Sequence, residues 1–418
     1  MGKVAELSER AWNGDLGELN VHPGRVLVAL EEFDTGLAFM SAFSNVGIVE
    51  TGEGLVFLDT SSFFHAARFF ADVRAWSPER VHSAVYTHGH VDHVFGLKPF
   101  EEEAAEQGWE PTEVIAHVNC PKRFDRYILT NGYNGLINQR QFGFPEPLFP
   151  KQYRYPDRTL LDSLTLEVGG ETIELYHDRG ETDDHVWAWI PRHKTLYTGD
   201  LFIWAAPNCG NPQKAQRYPR DWAEALRKMG QLGAERLFPG HGPPILGADR
   251  VAKALSDSAE LLESICSQTL EMMNAGMRLN EILHAVEMPR DLLERPYLRP
   301  IYDDPHFIVR NLWRLYGGWY DGNPANLKPA PDAELAATLA ALAGGAGALA
   351  DRAEQLAGEG AWALACHLAE FALQAAPDDS QVRGVHSTVY AGRAEHESSL
   401  MAKGIYGAAA RDSGAKPD

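Results

Sequence analysis

Along the first 250 residues, apolar positions come in short runs broken by glycine turns and alternate with amphipathic stretches, as in a protein mixing strands and helices. Asn45–Val49 and Gly54–Asp59 read as two strands of a hairpin, joined through Thr51-Gly52-Glu53-Gly54. Residues 62–75 then place Phe63, Ala66, Phe69, Phe70 and Val73 at helical spacing. Val81–Tyr86 is a short β-branched run. Leu164–Val168 and Thr172–Tyr176 flank Gly169-Gly170, a second hairpin signal, and Val186–Ile190 and Thr195–Tyr197 repeat it around Pro191–Lys194. Arg220–Leu232 is amphipathic, and Arg236–Gly242 reads as a short strand running into a loop. Residues 131–149, with few such signals, read as a long loop.

Beyond residue 250 the pattern becomes helical, at 250–275, 278–287 and 306–319. Residues 331–376 hold 18 alanines in 46 positions. Alanine has the best intrinsic helix propensity, so this part predicts a helical layer, cut into short helices by Gly344–Gly347 and Gly358–Gly360. Trp362–Ala376, closed by Pro377, and Gln381–His396 resemble one tetratricopeptide-like helix pair, which must pack on something else to cover its apolar face. Residues 407–418 read as a frayed end. Two domains are expected: a mixed α/β body over 1–250 and a helical domain over 251–418. A chain of 418 residues suits that division.

Composition narrows the function classes. Apolar residues make up 44% and charged residues 23%, an ordinary globular balance. Lys plus Arg number 38 against 58 Asp plus Glu, giving −20 overall. That acidity argues against nucleic acid or an anionic membrane as partner. A small anionic substrate stays compatible, because a pocket holding metal ions is locally positive. Cys120, Cys209, Cys266 and Cys366 form no CxxC pair, so neither a disulfide framework nor a thiolate zinc site is suggested. The N-terminal stretch is polar, without the apolar core of a secretory signal, and no apolar run reaches about 18 residues. A cytoplasmic protein without a membrane span is expected.

The chemistry concentrates at Thr87-His88-Gly89-His90-Val91-Asp92-His93, directly after a β-run. Three imidazoles and a carboxylate on a strand-capping loop can point into one space, and they supply enough donors for parts of two divalent-metal sites. This HxHxDH pattern resembles the metallo-β-lactamase superfamily. The resemblance implies an α/β fold, an αββα sandwich with a dinuclear metal site at one edge. It also implies further ligands downstream. Gly180-Glu181-Thr182-Asp183-Asp184-His185 matches one ligand element, with Glu181 where a histidine is commoner; Tyr197-Thr198-Gly199-Asp200 matches the element of the bridging aspartate, and Pro239-Gly240-His241-Gly242 that of the last histidine. On this reading His88, His90 and Glu181 hold one metal, Asp92, His93 and His241 the other, and Asp200 bridges. Two zinc ions are implied, with iron or manganese equally suited to such donors. A water between two divalent cations has its pKa lowered towards neutrality, so hydroxide is available near pH 7. Glutamate in place of a neutral histidine lowers the site's charge by one, weakening the Lewis acid and strengthening metal retention.

Glu181 resembles the alkylsulfatase branch, and Val309–Ala325, reading VRNLWRLYGGWYDGNPA, resembles the signature of the alkylsulfatase dimerisation domain. Together these imply a homodimeric, dinuclear zinc-dependent hydrolase that cleaves alkyl sulfate esters through a metal-activated hydroxide. Three departures keep an alternative open. Asp200 stands where detergent-cleaving members have glutamate, Leu201–Trp204 replaces a histidine- and asparagine-bearing stretch, and His185 replaces an acidic residue. The alternative is hydrolysis of a carboxylic ester, lactone, thioester or phosphoester on the same metals. A diiron redox protein fits less well, since those relatives carry glutamate where His90 stands.

Candidate catalytic residues are therefore Asp92, Asp200 and His185, the last as proton donor or as a group orienting a ligand. The resemblance offers Arg217, Lys214 and Asn208 as substrate contacts, with Asn211 beside them and Tyr133 and Asn134 from the presumptive loop. Arg217 leads, because a guanidinium can bond two sulfate oxygens at once. Phe142, Phe144, Phe149 and Trp204 could wall an apolar channel, although burial in a core is the commoner fate of aromatics. The remaining histidines, His22 and His117 among them, have no ligand pattern around them.

Overall fold

The computed structural model describes residues 2–15 and 27–414; His22 lies outside them. The chain divides into two compact units, Met1–Asn131 with Pro150–Met277 and Glu281–Gly318, and Gly132–Phe149 with Arg278–Asn280 and Trp319–Asp418.

Two sheets form the heart of the first unit. One runs in the order β1 (Ala29–Asp34), β2 (Leu37–Ser41), β3 (Val46–Thr51), β4 (Gly54–Leu58), β5 (Val81–Val85), β6 (Glu113–His117) and β7 (Arg158–Leu160). It is antiparallel up to β4 and parallel from β4 to β7. The other has the order β13 (Ile245–Leu246), β12 (Arg236–His241), β11 (Thr195–Ile203), β10 (Val186–Ile190), β9 (Glu171–His177) and β8 (Ser163–Val168), with β11 and β12 parallel.

The period of two explains the layering. In β4, Val56 and Leu58 face the second sheet and join Phe39, Val85, Ile115, Ile173, Leu175, Tyr197 and Phe238 in one buried cluster. Leu55 and Phe57 face the other way, into a cluster with Phe69, Val73, Phe100 and Phe124. Those aromatics come from helices that cover the first sheet. In chain order the helices of this unit begin with α1 (Lys3–Trp12), α2 (Ala66–Trp76), α3 (Lys98–Gln107), α4 (Cys120–Leu129) and α5 (Asn131–Phe142), the last passing into the second unit. The set continues with α6 (Pro219–Gly230), α7 (Ala248–Asn274), α8 (Leu279–Ala285), α9 (Arg290–Leu293) and α10 (Pro305–Gly317). Over the second sheet, α6 anchors through Trp222, whose indole N–H donates to Leu201 O at 2.8 Å. Helix, sheet, sheet, helix is the αββα order.

The second unit carries α11 (Asp332–Ala343), α12 (Ala346–Gly358), α13 (Trp362–Ala375), α14 (Ser380–Glu395) and α15 (Leu400–Gly414). Alanine sets the helix spacing. Ala340, Ala350 and Ala372 share one buried cluster and Ala353, Ala365 and Ala369 another, letting backbones approach closely. The tetratricopeptide-like pair α13–α14 is covered by α12 on one side and α15 on the other.

Two expectations are corrected here. Residues 131–142 are helical, not a loop: Gly132 and Gly135 lower the local propensity, and buried Ile137, Asn138 and Gln141 show that packing overrides it. The end of the chain is helical to Gly414, with Met401, Ala402, Ala408 and Ala410 buried, and Ser413 Oγ 2.9 Å from His386 Nδ1. No single described helix is long and apolar enough to cross a membrane; α11 and α12 pass together by length and composition but are bent by 84°.

Candidate metal centre

The ligand candidates leave the strands at their C-terminal ends. Tyr86 to His93 follow β5, His241 ends β12, Glu181 to His185 join β9 to β10, and Asp200 lies within β11. The expected strand at 195–197 runs on to Ile203, so Asp200 sits on a strand and not in a loop. Two glycines make that possible. Gly199 adopts φ +48°, and a Cβ there would meet Thr87 Oγ1 at 2.7 Å and His185 Cε1 at 2.8 Å. At Gly240 a Cβ would fall 2.1 Å from Asp200 Oδ1. The β11–β12 register slips on both sides of Gly199, and this irregularity aims the Asp200 carboxylate out of the ladder.

All seven expected ligands converge in two groups. His88, His90, Glu181 and Asp200 form one and Asp92, His93 and His241 the other, with donor atoms in each within 4.8 Å of one another. In the first, Glu181 Oε2 lies 3.3 Å from His90 Nδ1 and 3.5 Å from His88 Nε2. In the second, Asp92 Oδ2 lies 3.6 Å from His93 Nε2 and 3.4 Å from His241 Nε2. Asp200 touches both: Oδ2 is 3.7 Å from His88 Nε2, while Oδ1 is 3.2 Å from His93 Nε2 and 3.3 Å from His241 Nε2. His93 Nε2, Glu181 Oε2 and Asp200 Oδ1 are buried and make no hydrogen bond. Orphaned polar atoms converging from imidazoles and carboxylates are what a divalent cation satisfies, so the residues fit the metal the donor set implies.

Residues 42–241 match the family model described as metallo-beta-lactamase superfamily, and residues 278–415 match that described as alkyl sulfatase dimerisation. The chain therefore joins a metallo-β-lactamase superfamily domain to an alkyl sulfatase dimerisation domain. A linear primary-alkylsulfatase of a Pseudomonas species is 28% identical over 360 residues, covering 81% of this chain and 68% of that protein. An (R)-specific secondary-alkylsulfatase, also from Pseudomonas, is 27% identical over 378 residues, covering 82% of this chain and 56% of that one. The solved structure of a stereoselective inverting sec-alkylsulfatase from Pseudomonas superposes with a TM-score of 0.82 at 24% identity, covering 93% of this chain and 66% of the other. The chain thus spans only about half to two thirds of the length of these relatives.

Around the superfamily ligands stands a support that sequence reasoning missed. Asp59, at the end of β4, adopts φ +62° and is fully buried. Its carboxylate accepts from Thr87 N–H (2.7 Å), Thr87 Oγ1 (2.8 Å) and Tyr197 OH (3.1 Å), and lies 2.8 Å from His93 Nδ1. A carboxylate behind a ligating imidazole fixes the ring and its tautomer. Two of the other imidazoles are held through oxygens: His241 Nδ1 by Phe43 O, and His88 Nδ1 by Thr87 Oγ1 at 3.0 Å. Asp184 Oδ2 accepts the Gly89 N–H between His88 and His90 at 3.0 Å, and its Oδ1 pairs with Arg123 Nε at 2.9 Å. The only signal for Asp59 was its place at a strand end; nothing marked Arg123.

Electrostatics differ across the cluster. Burial, and then the imidazoles of His93 and His90, hold His88 well below the ordinary histidine value. Burial alone would also depress His93, but the carboxylates of Asp200, Asp59 and Asp92 outweigh it and hold this imidazole well above that value. For His241 burial is likewise outweighed, chiefly by Asp200, and its pKa is pushed up to about 9. Asp200 stays well below the carboxylate range despite burial, because His241 and His93 face it.

The substrate-side expectations meet a different geometry. Arg217 and Asn208 are buried, and both bind Glu181 Oε1: Arg217 Nη1 at 2.6 Å, and Asn208 through Nδ2. Both residues, expected at the substrate, thus meet a candidate ligand, while Arg217 Nε and Asn208 Oδ1 are buried without a hydrogen-bond partner. Asn211 is buried, and its side-chain oxygen accepts from Gln213 N–H at 3.1 Å. Lys214 is half-buried, and its ammonium has no ion-pair partner among the described residues. Burial and then Arg217 pull its pKa down to about 8, with Glu181 and Asp92 opposing. His185 is fully buried and its Nε2 accepts the Asp200 N–H at 3.1 Å; burial takes its pKa down to about 3. A neutral imidazole that accepts at Nε2 orients the Asp200 peptide, and its proton then sits on Nδ1, which is buried without a hydrogen-bond partner. Tyr133 and Asn134 lie on α5 within the second unit, Tyr133 exposed and Asn134 buried. Trp204 is core, its indole N–H donating to Pro243 O at 2.5 Å. Tyr302, unnoticed in the sequence, has its phenol pKa raised by burial and by Asp92, Glu181 and Asp200, so it stays protonated in their field.

Proposed function

We propose that this protein is a dinuclear zinc-dependent hydrolase of alkyl sulfate esters, acting as a homodimer, with catalysis in residues 1–250 and dimerisation in 251–418. The observation that carries the reading is the sharing of Asp200, one oxygen towards each donor group, which suits two cations side by side. Two divalent ions bound there would supply Lewis acidity and bring the pKa of a water towards neutrality. The chain's own residues do the rest. Water reaches the cluster from the side of Asp92, His90 and His241, whose side chains keep 23%, 18% and 11% of their exposure. Lys214, whose ammonium has no carboxylate partner among the described residues, is the group for the sulfate oxygens, and His185 keeps the Asp200 peptide in register. Tyr302 and Lys214 are the protonated groups that could meet the leaving oxygen.

The relatives' names support a sulfate ester. A second reading, hydrolysis of a carboxylic ester, lactone, thioester or phosphoester, draws support from Leu201–Trp204, which is apolar and buried and whose one side-chain N–H, on Trp204, is taken by Pro243 O. The test is zinc-replete protein offered a primary and a secondary alkyl sulfate beside a carboxylic ester, a lactone and a phosphodiester. Dominant sulfate release, with KM raised at least about tenfold by Lys214→Met through loss of a charge-assisted contact, supports the first reading. Turnover of another ester with inert alkyl sulfates replaces it by the second. Light scattering that gives a monomer mass at micromolar concentration would remove the dimer.

A further inference from the structure

A carboxylate buried beside two imidazoles must find partners for both its oxygens. Glu181 Oε2 faces His88 and His90 and makes no hydrogen bond. Oε1 is taken by Arg217 Nη1 at 2.6 Å and by Asn208 Nδ2, and the same Arg217 nitrogen donates to the Glu181 main-chain oxygen at 2.9 Å. Glu181, Arg217 and Asn208 are 3%, 2% and 5% exposed, so water does not screen the pair. Anchoring one oxygen and the main chain together removes the freedom of a three-torsion side chain and leaves Oε2 aimed at the histidines.

The segment that carries Asn208 and Arg217 is itself pinned by residues beyond the superfamily domain. Arg299 O accepts from Ala206 N–H at 3.0 Å, and the Asp303 carboxylate from Gly210 N–H at 2.8 Å. Asn311, on α10, grips the Arg217 peptide from both sides: Nδ2 donates to its oxygen at 2.9 Å and Oδ1 accepts its N–H at 3.4 Å.

We propose that Arg217, with Asn208, is a positioning residue for Glu181. It holds one carboxylate oxygen ready for a metal and cancels the charge that the glutamate brings to the site. Residues 299–311 keep it in that place, so the C-terminal half of the chain takes part in building the metal centre. This rests on the two-metal reading.

The experiment is a competitive zinc titration of metal-free full-length protein against a chromophoric chelator, with kcat and KM measured on the same preparations. Arg217→Met weakens one zinc equivalent by about 10- to 100-fold, the usual cost of losing a group behind a ligand, and lowers kcat more than it raises KM. Arg217→Lys recovers part of the loss, since the charge returns without the forked geometry. Glu181→His alone also weakens that equivalent, because Arg217 is left as an unpaired buried cation. Glu181→His with Arg217→Met binds more tightly than either single variant. If Arg217→Met does not fold, Asn208→Ala serves, since it removes a neutral donor from the same oxygen and is expected to weaken the same equivalent several-fold. Native zinc affinity for both equivalents in Arg217→Met or Asn208→Ala, with only KM raised, overturns the proposal and returns these residues to the substrate. A native protein that takes up no zinc sinks the two-metal reading instead.

Discussion

The two halves of the cluster are built from similar ligands and held in opposite ways. Around His88, His90 and Glu181 the outer support is cationic, because Arg217 pairs with Glu181 and leaves that half close to neutral. Around Asp92, His93 and His241 it is anionic, because Asp59 stands behind His93 and adds a second carboxylate. The proton affinities also differ: burial and the imidazoles of His93 and His90 depress His88, whereas, against burial, His93 is raised by Asp200 and then Asp59, and His241 by Asp200 and then Asp92. A site that attracts protons when empty attracts divalent cations as well, since both answer to the same negative potential. The second half should therefore be the tighter metal site, and protons its occupants when metal is absent.

Four measurements test this contrast. The largest effect is expected from Asp200→Asn, which weakens the one carboxylate common to both halves; metal affinity should fall by more than about 100-fold at both equivalents, beyond what an outer group costs. A loss confined to one equivalent would show that the halves do not share this ligand. Next comes Asp59→Asn, expected to weaken only the tighter equivalent, by about 10- to 100-fold. Should the weaker one respond instead, the anionic support would belong to the wrong half. Third, chelator titration of the loaded protein should release metal in two steps, the first removed by His90→Ala and the second by His241→Ala. A single step would put the halves at equal affinity.

The smallest effect concerns pH in the metal-free protein. His241 has its pKa raised from 6.5 to about 9, and His93 is also raised. A raised histidine stabilises the fold fully below its unfolded value and loses that contribution as pH climbs through the folded one. Metal-free protein should thus lose thermal stability between pH 6.5 and about 9. Zinc binding in that range should release protons, seen as a dependence of the calorimetric heat on the ionisation enthalpy of the buffer. A flat stability profile with no proton release would remove the electrostatic half of the comparison.

Much of this site was legible in one dimension. His88, His90, Asp92 and His93 fall within six positions, and short motifs around Glu181, Asp200 and His241 follow in order; all seven converge. Ligands on a tight loop after a strand keep their spacing whatever the rest of the chain does, and a metal's donor requirement leaves few residue types to choose from. The sandwich was legible too, because a period of two along β4 and a helical period along α2 each name a buried face. What escaped was whatever depends on who the neighbour is. A guanidinium near a metal site serves an anionic substrate or an anionic ligand equally well by type, and only the packing of 299–311 against 206–217 sets Arg217 on Glu181. Asp59 lies 34 positions from His93, and its role arises from β4 and β5 lying side by side. The helix at 131–142 was hidden for a related reason, since its glycines oppose it locally and buried contacts impose it. Ligand chemistry and layer order were readable from the chain, because both are written in residue type and short-range period. Tertiary structure alone decided which charges stand behind each ligand, because electrostatic support depends on distance through space and carries no signature along the chain.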